Sequence, residues 1–189
     1  VAGFLEASGG VKIRYAVFRS KERAAKGTVV LLQGRSECIE KYFETINDLT
    51  ARGLWVATFD WRGQAGSDRL IPGSRAGHIL RFSDYEADLS LFLEKIVLPD
   101  ARLPFFIVAH STGALVALSQ APLLESRIER MVLAAPFIAL AGQSMSQRKI
   151  SVIARLASLA GLGKHTFRRG DPELDFAHNI VTSDPRRLA

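Results

Sequence analysis

Ser111 stands in Ala109-His110-Ser111-Thr112-Gly113, a serine with a small residue two positions away on either side. An apolar run over residues 105–109 leads in, and Ala114, Leu115 and Val116 lead out at helix-compatible spacing. The pattern reads as strand, sharp turn, helix, with Ala109 and Gly113 small because side chains at those positions would collide with the tight backbone. Such a turn lifts a serine hydroxyl clear of the main chain, where it can attack a carbonyl carbon. Addition to a carbonyl also needs donors for the oxyanion that forms. A backbone N–H of Gln33-Gly34-Arg35, after another apolar run, and the Thr112 N–H at the start of the helix are the candidates. Gln33, Gly34, His110 and Gly113 would support them. His110 reads as a packed or hydrogen-bonded imidazole rather than a base, since adjacent residues on such a turn point apart.

These groups have to be carried by a scaffold. Residues 4–7 and 12–18 around Gly9-Gly10 read as a hairpin. Thr28 and the four apolar residues after it read as a parallel strand buried on both faces. The spacing predicts a helix over 39–51 stopped by Gly53, a strand over 54–59, and a Gly-punctuated loop from Asp60. A helix over 83–97 is expected next, with Ser83 as its N-cap and Glu86 three residues on. After the strand at Phe105 and a helix to Gln120, residues 130–135 form a further strand closed by Pro136. Strand and helix therefore alternate, which predicts an α/β fold: a doubly wound, mostly parallel sheet with right-handed crossovers. Functional groups in such a sheet gather at the carboxyl ends of the strands, where Ser111 and Gln33-Gly34-Arg35 both fall. Past Pro136 no further strand is evident, and residues 144–161 read as an amphipathic helix with Arg148, Lys149 and Arg155 on its polar side.

Composition narrows the function classes. With 189 residues, 48% hydrophobic and 23% charged, the chain can bury one core. No apolar run reaches the roughly 18 residues of a membrane span, and the opening residues do not read as a signal peptide, so a cytoplasmic location is expected. The net charge of +6 is spread along the chain rather than blocked. It reads as a solvated surface; nucleic acid is not an expected partner, because no basic run is interleaved with stacking aromatics. Cys38, the single cysteine, excludes an intrachain disulfide and a Cys-cluster zinc site, and reads as a buried small hydrophobe. No metal or cofactor is expected. The loop from Gly63 to Ser67 lacks both G-x-G-x-x-G and a Gly-Lys-Ser ending, so it is not a nucleotide site. Asp60 and Arg62 read as makers of structural loop hydrogen bonds.

The succession Leu31-Leu32-Gln33-Gly34-x-x-Glu37, Lys41-Tyr42-Phe43, Phe59-Asp60-Trp61-Arg62-Gly63-x-x-Gly66-Ser67-Asp68, Phe82-Ser83-Asp84-Tyr85-x-x-Asp88-Leu89 and Ala109-His110-Ser111-Thr112-Gly113-Ala114 resembles the α/β-hydrolase superfamily. Within it the chain is most similar to the lysophospholipase and monoacylglycerol lipase group of serine hydrolases, which includes serine aminopeptidase-like members. The resemblance implies an ester hydrolase working through an acyl-enzyme on Ser111, with the Arg35 and Thr112 N–H groups as oxyanion hole. Its substrate would be a lysophospholipid, a monoacylglycerol or a similar small ester. Gln33 stands where the family usually has His. Because the donor at Arg35 is a backbone group, that change should leave the hole intact. By the same resemblance, residues 1–136 are the hydrolase core and 137–189 a helical cap over the site. The cap helix reads first as packing; contact with a membrane surface is the alternative its basic amphipathic pattern leaves open.

The family's order of catalytic residues is Ser, then Asp, then His, on strands later than any found here. His165, His178, Asp171, Asp175 and Asp184 come after Ser111 but lie in the polar cap stretch. The expectation is that the Asp and His lie beyond Ala189 and that this chain alone is inactive. Two alternatives remain: an aminopeptidase-like or carbon–carbon-bond hydrolase of the same fold, and a non-catalytic binding homologue. Haloalkane- and epoxide-type hydrolases are disfavoured, because they place Asp where Ser111 stands.

Overall fold

The computed structural model describes residues 1–20, 22, 24–74, 76–139 and 146–162. Strands β1 (Ala2–Ala7), β2 (Val11–Phe18), β3 (Gly27–Leu32), β4 (Leu54–Phe59), β5 (Phe105–His110) and β6 (Arg130–Ala134) form one sheet, in the order β1-β2-β4-β3-β5-β6. The β1/β2 hairpin joins β4 antiparallel, and the pairs β4/β3, β3/β5 and β5/β6 are parallel. The helices are α1 (Phe43–Ala51), α2 (Ser83–Phe92), α3 (Leu98–Asp100), α4 (Thr112–Ser119), α5 (Ala121–Leu124) and α6 (Gln147–Leu159). This is the mostly parallel, doubly wound sheet expected from the alternation of elements.

β3 shows why the fold closes on both faces. All six of its residues are buried, and side chains alternate across a strand. Val30 and Leu32 join one core cluster with Phe59, Ile107, Leu89 and Phe92 of α2, and Ala114 and Ala117 of α4. Val29 and Leu31 join the other with Val56, with Ile39 and with Ile46, the last of these in α1. Each Val, Leu, Ile or Phe among them contributes about 1.5–3 kcal/mol on burial. A chain of rings fastens the end of β4 to α2, with centroids 4.6 Å apart for Phe59 and Trp61, 4.8 Å for Phe59 and Phe92, and 5.0 Å for Trp61 and Tyr85.

Local structure departs from the sequence pattern in four places. The segment expected as one helix over 39–51 opens with a 3-10 turn, Ile39–Tyr42, before α1. Long-range bonds hold that turn: the Ile39 N–H donates to Asp60 at 3.0 Å, and Glu40 takes two bonds from Arg14. Ser83 is not the N-cap, because Phe82 already has helical φ and ψ and no side chain caps from there. Instead the Asp84 carboxylate reaches back to the Arg81 N–H at 3.1 Å, as the acidic partner of a capping box does. The helix expected to 97 changes after Phe92 to π winding over Leu93–Val97, keeping Leu93 and Val97 in the core. Cys38 is half-buried rather than buried.

The chain divides into two compact units, Val1–Ser146 and Gln147–Ala189. The sheet lies in the first. In the second, α6 carries Ile150, Ile153, Leu156 and Leu159 at helical spacing and three cations, Arg148, Lys149 and Arg155, with no acidic residue. Gly161, at φ 77°, comes after it in the left-handed conformation that commonly ends helices. Of the helix expected over 144–161, Ser144 and Met145 lie outside the described residues.

The loop after β4 is anchored to α2 by a buried ion pair. Arg62 Nε and Nη2 donate to the two Asp88 carboxylate oxygens at 2.6 and 2.5 Å, and Nη2 also reaches Ser8 Oγ at 3.2 Å. Removing one partner strands a charge in the core. Asp88→Ala is therefore expected to destabilise the fold by about 3–5 kcal/mol. The measurement is the urea midpoint, and an unchanged midpoint would contradict it.

Candidate active site

From β3 the chain crosses to β4 on one side, then to β5 on the other. The loops leaving the carboxyl ends of β3 and β5 diverge, and a crevice opens between them. Leu32 pairs with Ala109 across the two strands. Gln33-Gly34-Arg35 and His110-Ser111-Thr112 therefore emerge side by side.

Ser111 precedes the first residue of α4 with φ 50° and ψ −112°. A non-glycine residue in such a conformation carries about 1–3 kcal/mol of strain and persists only where its surroundings hold it. Three main-chain bonds do so. The Ser111 N–H donates to Ala134 O at 3.0 Å, and its carbonyl accepts from Leu115 and Phe137, both at 3.1 Å. Among the described residues no group is bonded to the Ser111 hydroxyl or to the N–H groups of Thr112 and Arg35. For Thr112 the cause is its place in the first turn of a helix.

Gly113 lets α4 start where it does. A Cβ there would stand 2.6 Å from the carbonyl oxygens of both Leu32 and Gln33. Both contacts are backbone and cannot swing aside. Gly113→Ala is expected to displace the start of α4 from β3. The expected readout is a stability loss of about 1–3 kcal/mol, as for other overpacked sites, together with loss of any Ser111 reactivity; wild-type behaviour in both would contradict it.

The loop after β3 is held by side chains. Gln33 is buried, and its amide donates to Phe59 O and Asp60 Oδ1, both at 2.9 Å, while its main-chain carbonyl accepts from Trp61 Nε1 at 2.8 Å. The Arg35 guanidinium donates to Gly77 O at 2.6 Å. Ser36, at φ 63°, donates its N–H to Gln64 Oε1 at 2.5 Å. Asp60, fully buried, also accepts from the Gly66 N–H and from Arg14. Asp60 and Arg62 thus bond within the fold.

Two residues of this loop system carry no assignment from sequence alone. Gln64 is one. Glu37 is the other, although it sits three positions after Gly34 in the motif that carries the resemblance. Its Oε2 accepts from the Gly34 N–H at 2.5 Å and the Tyr42 hydroxyl at 2.7 Å and faces His110 Nδ1 at 3.2 Å, while Oε1 takes Lys41 Nζ at 2.9 Å. Burial alone would push this carboxyl up, but the donors from Tyr42, Lys41, Gly34 and His110 override it and bring its pKa from 4.5 down to about 2. A carboxyl depressed in the fold stabilises it above the unfolded-state pKa, and that stabilisation fades as pH falls through the folded value. The stability difference between wild type and Glu37→Gln is therefore expected to be full above pH ~4.5 and to shrink towards pH ~2. Urea unfolding across that range measures it, and a difference that grows on acidification would be the contrary result.

His165, His178, Asp171, Asp175 and Asp184 lie outside the described residues. Among the described residues no group of three or more His, Cys, Asp or Glu could hold a metal ion, and no helix is long and apolar enough to cross a membrane.

An open, mostly parallel sheet wrapped by helices, with a serine on the strained turn after β5, has the architecture of the α/β-hydrolases. The chain belongs to the serine aminopeptidase S33 family, whose profile matches residues 23–189. It is 31% identical over 134 residues to the probable lysophospholipase L2 of Haemophilus influenzae, covering 71% of this chain and 42% of that protein. It is 36% identical over 107 residues to lysophospholipase L2 of Escherichia coli K12, covering 57% and 31%. The solved structure of a Paleococcus ferrophilus monoacylglycerol lipase superposes with a TM-score of 0.61 at 25% identity, over 77% of this chain and 51% of that one. The chain thus spans less than half the length of these two curated relatives.

Proposed function

We propose that the protein is a carboxylic ester hydrolase acting on lysophospholipid- or monoacylglycerol-like lipids, with Ser111 as its nucleophile. The observation that carries this reading is the strained main chain of Ser111 where β5 ends beside the β3 loop that contains Arg35. The Ser111 hydroxyl adds to the ester carbonyl, and the Arg35 and Thr112 N–H groups receive the oxyanion. The alcohol leaves with a proton, and water then releases the acid from the acyl-enzyme. The base is assigned to a His and its orienting acid to an Asp, both beyond Ala189. Residues 137–189 are assigned to a helical cap segment, and the basic amphipathic pattern of α6 within it suits a lipid substrate. The named activities of the two curated relatives support the ester class. The family description favours aminoacyl amides as the second reading.

The test compares full-length protein with its Ser111→Ala variant on a lysophospholipid, a monoacylglycerol and an aminoacyl anilide, alongside fluorophosphonate labelling. Ester hydrolysis and labelling that both vanish in the variant are the expected result, with residues 1–189 alone giving little turnover. A full-length protein that is not labelled at Ser111 would sink the enzyme reading, and anilide cleavage without ester cleavage would move it to the aminopeptidase class.

A further inference from the structure

Glu37 joins two pieces of chain that lie 73 residues apart. On one side it holds the N–H of Gly34, the residue before Arg35. On the other it faces the imidazole of His110, the residue before Ser111. An ionised carboxylate only accepts hydrogen bonds, so the His110 nitrogen turned towards it carries the proton, and the ring is oriented with Nδ1–H on Glu37. The contact is close. A Cβ on Gly34 would stand 2.8 Å from Glu37 Oε2 and 3.0 Å from His110 Nδ1, so the carboxylate, the ring and the bare glycine backbone meet with no spare volume. The far side of the same loop is tied elsewhere, through Arg35 to Gly77 and Ser36 to Gln64. Those bonds set where the loop lies relative to the β4 side of the sheet; the bond to His110 sets where it lies relative to the serine turn.

The geometry points to Glu37 as a positioning residue: by gripping the Gly34 N–H and the His110 ring together, it sets the spacing between the Arg35 N–H and the Ser111-Thr112 turn. The inference rests on the proposal that Ser111 is the nucleophile. The hydrogen bonds of Glu37 go to Gly34, Lys41, Tyr42 and His110 and not to Ser111. Its effect runs through the aim of two donors at an oxyanion that exists only in the transition state, so its loss lowers kcat and leaves KM nearly unchanged.

Kinetics of the full-length protein on a short p-nitrophenyl ester test this. Glu37→Gln keeps the side-chain shape but leaves one acceptor oxygen and no charge for the four donors that the carboxylate gathers. Its kcat is expected to fall on the order of 10- to 100-fold, the scale of a misplaced catalytic group, with KM within about threefold. His110→Ala cuts the other end of the bridge and is expected to lose a similar factor. The double variant should lose no more than the worse single one, because both act through one link. Losses that multiply in the double variant, or a folded Glu37→Gln with wild-type kcat, overturn the inference while leaving the nucleophile proposal standing. Should Glu37→Gln not fold, His110→Ala decides: wild-type kcat overturns the inference, and reduced kcat with retained KM supports it. Absence of Ser111-dependent hydrolysis in the wild type overturns the nucleophile proposal and this inference with it.

Discussion

β3 pairs in parallel with β4 on one side and β5 on the other, and its central position governs where the loops and helices around it are placed. A strand with neighbours on both edges and helices on both faces has to be apolar or internally bonded; Gly27–Leu32 is buried at every position, and its one polar side chain, Thr28, bonds the Arg102 main chain. Because the chain leaves β3 in one direction and returns on the other, two loops part at its carboxyl end. Gly113 then brings α4 against the carbonyls of Leu32 and Gln33, where a single added carbon would collide. The serine turn and the Gln33-Gly34-Arg35 segment are neighbours because of that pairing and that missing side chain.

The groups standing over the core at this end are polar, and burying polar groups is unfavourable unless they are bonded. Asp60 shows how the fold meets that condition. Its buried carboxylate collects donors from Gln33, Ile39, Gly66 and Arg14, so four separate segments converge on one side chain. Arg62 and Asp88 do the same for the loop after β4. The strain at Ser111 is likewise offset by bonds from β6, from α4 and from Phe137. Loops that would otherwise sample many conformations are fastened to the sheet by buried charge and main-chain bonds, which is the rigidity that the proposed oxyanion hole would require.

Much of the scaffold was legible because it arises from periodicity and punctuation. The apolar runs of β3 and β4, the hairpin alternation of residues 12–18 and the small residues around Ser111 each have a local physical reason that reads without neighbours. The departures have a common cause. The 3-10 turn at Ile39–Tyr42 is held by Asp60 and Arg14, which come from other parts of the sheet. The cap of α2 passed from Ser83 to Asp84 because the turn before it was already helical. Gln64 and Glu37 carried no periodic signature at all, and only their partners reveal them.

The order of strands and helices, the apolar faces and the serine on its tight turn were determined by the sequence itself, since hydrophobic spacing and steric limits act within a few residues. The strand order at the sheet's centre, the collision course that makes Gly113 necessary, and the bridge from Gly34 through Glu37 to His110 were decided only by tertiary structure. Each joins residues tens of positions apart, and nothing in a local stretch of chain encodes which distant donor a buried carboxylate will meet.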